Sequence, residues 1–204
     1  MDIITTLGTA LGAAWTAGIN LYATVAVLGL MQHYGLVSKL PGGLDKLDNW
    51  WVIGIALFLY VVEFFADKVP YVDTVWDALH TFIRVPAGAV LALAATTDLD
   101  PTLRIVAVLL GGGLALSTHG TKATVRAAAN VSPEPFTNWA LSLAEDALAI
   151  IAVFLAVVHP LVVLVLILAF VIVLIWILPK VLRRLKRLVN SALAFLRGRS
   201  AKSA

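Results

Sequence analysis

The chain has 204 residues, 61% of them hydrophobic and 13% charged, with no cysteine and a formal net charge of +3. Soluble domains run nearer to about 45–50% apolar and about 25% charged. An aqueous core of this size cannot hide so much apolar surface, so a soluble fold is excluded and the bilayer is the expected solvent. The missing cysteines exclude disulfides and thiolate metal sites.

The charge is unevenly spread. Residues 180–204 carry Lys180, Arg183, Arg184, Lys186, Arg187, Arg197, Arg199 and Lys202 and no acid, while the other seven basic residues meet all twelve acids. Such basicity belongs to a membrane-surface tail, not to a nucleic-acid-binding domain. The expected fold is all-α: a polytopic transmembrane helical bundle of about six spans over residues 1–179, then a basic amphipathic tail over 180–204.

A span needs roughly 20 apolar residues. The first is expected over about residues 7–31. It has Gly8 and Gly12 at a spacing that lets helices approach closely, and Asn20 lies near its middle. The opening residues lack the basic region of a cleaved signal peptide, so this stretch is expected to be retained. A polar link with Pro41-Gly42-Gly43 follows. The second span, about 50–66, starts at the interfacial pair Trp50-Trp51. The third, about 79–95, contains Pro86. The fourth, about 103–118, is short and loosened by Gly111-Gly112-Gly113. The fifth runs over about 136–158, and the sixth over about 161–178 without a charge, which suits a lipid-facing helix.

Pro179 is expected to end the sixth span. Beyond it, Leu182, Leu185, Leu188, Val189, Leu193 and Leu196 recur at helical spacing opposite lysines and arginines. This is the pattern of an interfacial helix on anionic lipid; a solvated helical extension is the alternative. With six spans and the basic tail inside, both termini are expected in the cytoplasm. The lipid bilayer is the expected partner, with anionic lipid at the tail; a homo-oligomer is compatible, and no nucleic acid is expected.

Two weakly related hairpin units, about 50–95 and 103–158, share the spacing of Pro70 with Trp76 and of Pro133 with Trp139. Short, Gly/Pro-interrupted spans in matching places point to a transporter's binding site. Two ordinary hairpins would give the same pattern.

The ionisable residues carry the most information. Asp73, Asp77, His80 and Arg84 make one helical stripe. Glu63 and Asp67, beside Lys68, close the second span. His119, Lys122 and Arg126 form another stripe. Asn138, Ser142 and Glu145 line one face of the fifth span, with Asp146 beside them. A charge at the depth of Glu145 costs on the order of 3 kcal/mol unless it is paired, hydrated or protonated. The candidate binding residues are therefore Asn20, Glu63, Asp67, Lys68, Asp77, His80, Arg84, His119, Lys122, Glu145 and Asp146. A buried ion-pair network that fixes helix register is the competing reading. No cofactor is expected. A divalent metal held by Glu63, Asp67, Asp77, His80 and His119 is a narrower expectation. No phosphate-binding glycine loop, nucleophile elbow or H-E-x-x-H is present, so an enzyme is not expected.

The stretches Gly18-Ile19-Asn20-Leu21-Tyr22, Phe65-Ala66-Asp67-Lys68-Val69-Pro70 and Asp73-x-x-Trp76-Asp77 resemble a family of small bacterial membrane proteins. So do Arg84-x-Pro86-x-Gly88, Thr118-His119-Gly120-Thr121-Lys122 and Glu145-Asp146. The family is domain-of-unknown-function family 4126. The resemblance covers about residues 7–158 and leaves out the last span and the tail. It implies a bacterial inner-membrane location and brings no catalytic residues. The expected function is a small transporter or channel-like protein for a cation or proton-coupled solute. A non-transporting scaffold is the alternative, and a metal-dependent membrane enzyme comes third.

Overall fold

A computed structural model describes residues 2–130 and 135–200, except the side chains of 70, 71 and 135 and most of those after 181. Among the described residues there are seven α-helices, one 3-10 turn and no strand. They are α1 (Ile3–Ile19), α2 (Leu21–His33), α3 (Trp50–Ala66), α4 (Pro70–Ala95), α5 (Pro101–Asn130), α6 (Pro135–Val158) and α7 (Pro160–Ser200), with the 3-10 turn at Gly42–Leu47. Four of the described helices hold runs long and apolar enough to cross a membrane: Val72–Ala95, Pro101–Asn130, Phe136–Val158 and Pro160–Val181. The protein is a helical membrane bundle.

The chain divides into two units, Met1–Leu164 and Val165–Ala204. In the first unit, the segment read as one span over residues 7–31 is two helices. Asn20 is extended (φ −146°, ψ 103°), and its side chain accepts from the Ala23 amide, capping α2. Asparagine is among the best N-caps because its short carbonyl meets a free helix amide. Its own amide still donates to Thr16 O, which finishes α1.

The two helices form a hairpin. Gly8 at the start of α1 faces Pro160, and Gly18 near its end faces Thr118. Gly29 in α2 then lies against Leu47 and Ile53 at the start of α3. Thr6 shares a cavity of about 220 Å³ with Lys39, Leu40, Pro41, Gly42, Asp98 and Leu99. The start of α1, the segment after α2 and the α4–α5 turn therefore lie at one end of the unit. Residues 7–31 do not cross it. The expectation that both chain ends lie on one side counted this segment as a crossing and loses that basis.

Packing of the hairpin depends on small residues. A Cβ on Gly8 would stand 2.5 Å from Pro160 Cβ, and one on Gly12 would run into Ala156. Thr9 Oγ1 donates to Ala156 O at 3.0 Å. Beside Ala10, Ala13 and Ala17 of α1, the apolar core is completed by Leu21, Leu28, Leu40, Leu44, Leu91, Ala95 and Val153. Helices α4 and α5 form the most extensive pair, and α1 lies against both. Gly111 serves that close packing, since a Cβ there would reach 2.6 Å from Ala92 Cβ.

Helix α4 begins well before its expected start, and α5 runs well past its expected end. They absorb the polar segments 70–78 and 119–130 and so carry the two ionisable stripes. Pro133, half of one repeat spacing, lies outside the described residues.

In the second unit, α7 does not end at Pro179, which stands inside the helix. Proline keeps a helix-compatible φ and removes one hydrogen bond; the leucines, lysines and arginines around it are residues that extend a helix readily. Lys180 Nζ lies 2.8 Å from the Trp176 ring centroid. The expected apolar face of the tail (Leu182, Leu185, Leu188, Val189, Leu193, Leu196) and residues 201–204 lie outside the described side chains and residues.

Candidate functional site

Every binding residue expected from the sequence lies in one cluster around the hairpin tip, toward the α3–α4 end of the first unit. Along α4 it runs from Asp73 to Arg84, which at 1.5 Å per residue is about 16 Å. Glu63, Asp67, Asp73, Asp77, His80, Arg84, His119, Lys122, Arg126, Asn138, Ser142 and Asp146 are all buried.

Arg84 binds the hairpin from below its tip. Its Nη1 donates to Ile19 O at 3.0 Å and Gly18 O at 3.3 Å, and its Nη2 to Glu63 Oε1 by a short bond. Lys122 Nζ donates to Asp67 Oδ2 at 3.0 Å, Glu63 Oε1 at 3.3 Å and Ile19 O at 3.4 Å. The last carbonyls of α1, the negative end of its dipole, thus meet two cations. On the other side of the tip, Asn20 Nδ2 donates to Asp146 Oδ1 at 2.9 Å, which sets a carboxylate near the positive end of α2.

Arg126 is the third buried cation. It grips Glu145 through Nε (3.0 Å) and Nη2 (2.7 Å), and Asp67 through its carbonyl (2.7 Å) and Oδ2 (3.1 Å). Asp73 Oδ1 stands 3.5 Å from its Nη1. Glu145, expected to be an expensive deep charge, is thus paired, and Lys122 adds a contact at 3.6 Å. Its neighbour Asp146 turns to a different partner, as residues about 100° apart on a helix must. Lys68 Nζ bonds Phe64 O at 2.9 Å and Ser142 Oγ at 3.3 Å. Partial burial pulls the Lys68 ammonium below its ordinary value, against the opposing field of Asp146.

Both histidines are locked by neighbours. His80 Nδ1–H donates to Trp76 O at 2.8 Å, which leaves Nε2 to accept from the Tyr22 hydroxyl at 3.0 Å. His119 Nδ1 accepts from Arg84 Nη1 at 3.1 Å, and its Nε2–H faces Asp77 O at 3.0 Å. Each ring nitrogen thus has a hydrogen-bond partner, which leaves none for a metal. Among the described residues no three His, Asp or Glu side chains stand close enough to hold a metal ion. The set Glu63, Asp67, Asp77, His80 and His119 does not gather around one point: both rings are held by hydrogen bonds, and Glu63 and Asp67 each turn one oxygen to Arg84, Lys122 or Arg126.

Six carboxylates (Glu63, Asp67, Asp73, Asp77, Glu145, Asp146) therefore stand around three cations that pair with them (Arg84, Lys122, Arg126), with Lys68 in the field of Asp146 and Asp67 but bonded to neither. The surplus is visible in the bonding. Both oxygens of Asp77, with Glu63 Oε2, Asp67 Oδ1, Asp73 Oδ1 and Asp146 Oδ2, have no hydrogen-bond donor among the described residues. Buried polar atoms are almost always satisfied, so six such oxygens in one cluster call for water, a proton or a cation.

Some members were not singled out by the sequence. Asp73 and Arg126 were visible only as parts of stripes, and Thr118, which donates to Trp15 O at 3.0 Å, resembled any helix threonine. Asn130, which bonds Asp73 Oδ2 at 3.1 Å and accepts from Asn138 at 2.9 Å, gave no signal at all.

The family model described as Domain of unknown function (DUF4126) matches residues 7–180. The chain belongs to that family. The match runs past residue 158, where the resemblance ended, and takes in the apolar run of α7 up to Lys180. No curated protein and no solved structure matches the chain.

Proposed function

We propose that this DUF4126 protein moves a cation, or a solute coupled to protons, through the polar cluster, with the α1–α2 hairpin closing the path. The observation that carries this reading is the acid surplus around Asp77, whose two oxygens are buried with no hydrogen-bond donor among the described residues, Oδ1 standing 3.9 Å from Arg84 Nη1. A carboxylate at such depth is costly unless it is paired, hydrated or protonated, and a passing cation or proton would relieve it.

The layout supports the reading further. The polar column enters from the α3–α4 end, where Lys68 and Asn130 are half-buried, and stops at the hairpin tip. Beyond the tip, alanines and leucines seal the unit. Interrupted helices whose ends face charge at a buried site are the usual construction of secondary transporters. Displacing the hairpin would open the sealed half, which makes it the natural moving part.

A scaffold is the second reading, and the bidentate Arg126–Glu145 pair favours it. A fully structural network would have no reason to keep excess acids. The test is flux: purified protein in proteoliposomes should dissipate an imposed proton or cation gradient faster than protein-free vesicles. Equal rates across protons, alkali cations and ammonium would leave the scaffold reading.

A further inference from the structure

Lys122 Nζ sits in a cage of four oxygens drawn from three helices. Asp67 Oδ2 (3.0 Å) and Glu63 Oε1 (3.3 Å) come from α3, Ile19 O (3.4 Å) from the end of α1, and Glu145 Oε2 (3.6 Å) from α6. The lysine is 6% exposed and Glu63 and Asp67 1% or less. Glu63 Oε2 and Asp67 Oδ1, on the same carboxylates, have no donor among the described residues, so the cage offers more acceptors than one three-proton ammonium can satisfy. The cage carboxylates are also held by the planar forks of Arg84 and Arg126, whereas the lysine arrives on a flexible four-carbon stem.

We propose that this cage is the binding site for a small ammonium-type cation, ammonium itself or a short primary amine, and that the Lys122 ammonium is its tethered stand-in. The proposal rests on the transport reading and names the substrate class of the same site. The oxygens stand at hydrogen-bonding distance from an N–H cation. Asp77 and Asp146 lie within electrostatic range of Lys122 and have oxygens to spare. When the lysine swings toward either one, the free cation takes its place and the surplus acid receives the lysine. No bond is made or broken, and one positive charge is added to a cluster with too few.

The test uses the full chain with K122A and K122Q, followed by thermal unfolding in choline, ammonium, methylammonium, potassium and tetramethylammonium chloride. Both variants should unfold below the wild type in choline. Ammonium and methylammonium, at about a hundred times their dissociation constant, should raise the Tm of the variants by roughly 5–10 °C. Tetramethylammonium, which has no N–H, should do nothing, and the wild type should respond far less. Three results overturn the proposal: no rise in ammonium, an equal rise in potassium or tetramethylammonium, or failure of both variants to fold even when prepared in ammonium. The two claims fail separately. Rescue of K122A with no cation flux by wild-type vesicles keeps the cage and removes transport. Flux by the wild type with unresponsive variants does the reverse.

Discussion

Asn20 Nδ2 donates a 2.9 Å hydrogen bond to Asp146 Oδ1 while its Oδ1 accepts from the Ala23 amide at 2.9 Å. One residue therefore ends one helix through its backbone amide and, through its side chain, starts the next and ties the tip of the hairpin to α6. Asn20→Ala removes the cap and takes away the amide donor on Asp146 Oδ1. A lost cap costs about 0.5–2 kcal/mol and a stranded buried acceptor about 1–3 kcal/mol. Thermal unfolding in detergent should show a loss of several degrees; an unchanged Tm would mean that the tip is not held this way.

The hairpin fixes the accessibility of its flanks. The chain has no cysteine of its own, so single cysteines report cleanly. Ile3→Cys, Ser38→Cys and Asp98→Cys should react with an impermeant reagent from one face of sealed vesicles, and Val69→Cys from the other. Labelling of residues 3 and 38 from opposite faces would restore a crossing through residues 7–31.

Two glycines separate close packing from mere flexibility. A Cβ on Gly18 would collide with Thr118 Oγ1 and come within 2.6 Å of Ala115 O, whereas one on Gly113 meets nothing within 4 Å. Gly18→Ala should destabilise by about 1–3 kcal/mol through overpacking. Gly113→Ala should be neutral or stabilising by up to about 1 kcal/mol, since glycine weakens a helix interior. The ranking of the two melting temperatures checks this.

Arg126 serves Glu145, Asp67 and Asp73 together. Arg126→Met leaves Asp73 without its cation and Asp67 and Glu145 with Lys122 alone, at a cost of about 3–5 kcal/mol. Adding Glu145→Gln should recover part of that loss, as partners in one network are not additive. The coupling should resist salt, because buried pairs are little screened. A double-mutant cycle measured at low and high ionic strength decides it.

Much of the site was legible because helical spacing speaks for itself. Asp73, Asp77, His80 and Arg84 had to share a face once their segment was helical, and Trp50-Trp51 marked the start of α3. What could not be read depended on contacts far along the chain. Asn20 looked like a polar interruption in one long span, since its role as a cap is plain only with Asp146 beside it, 126 residues on. Glu145 and Asp146 looked equivalent, yet Arg126 claims the first and leaves the second half-bonded. Which acid stayed unpaired was a matter of three-dimensional reach, and Asp77 gave no hint of it.

Asp77 is therefore where the transport reading stands or falls. Asp77→Asn keeps the shape and removes a buried charge whose oxygens have no donor among the described residues, so the fold should keep or raise its Tm. Flux of protons or cations into proteoliposomes, measured beside Tm on the same preparations, is the deciding experiment. Wild-type flux above that of empty vesicles, falling at least about tenfold in Asp77→Asn with the Tm preserved, is expected for a carrier group at that depth. Unchanged flux in the variant, or loss of Tm together with a wild type that moves no ion, would contradict it.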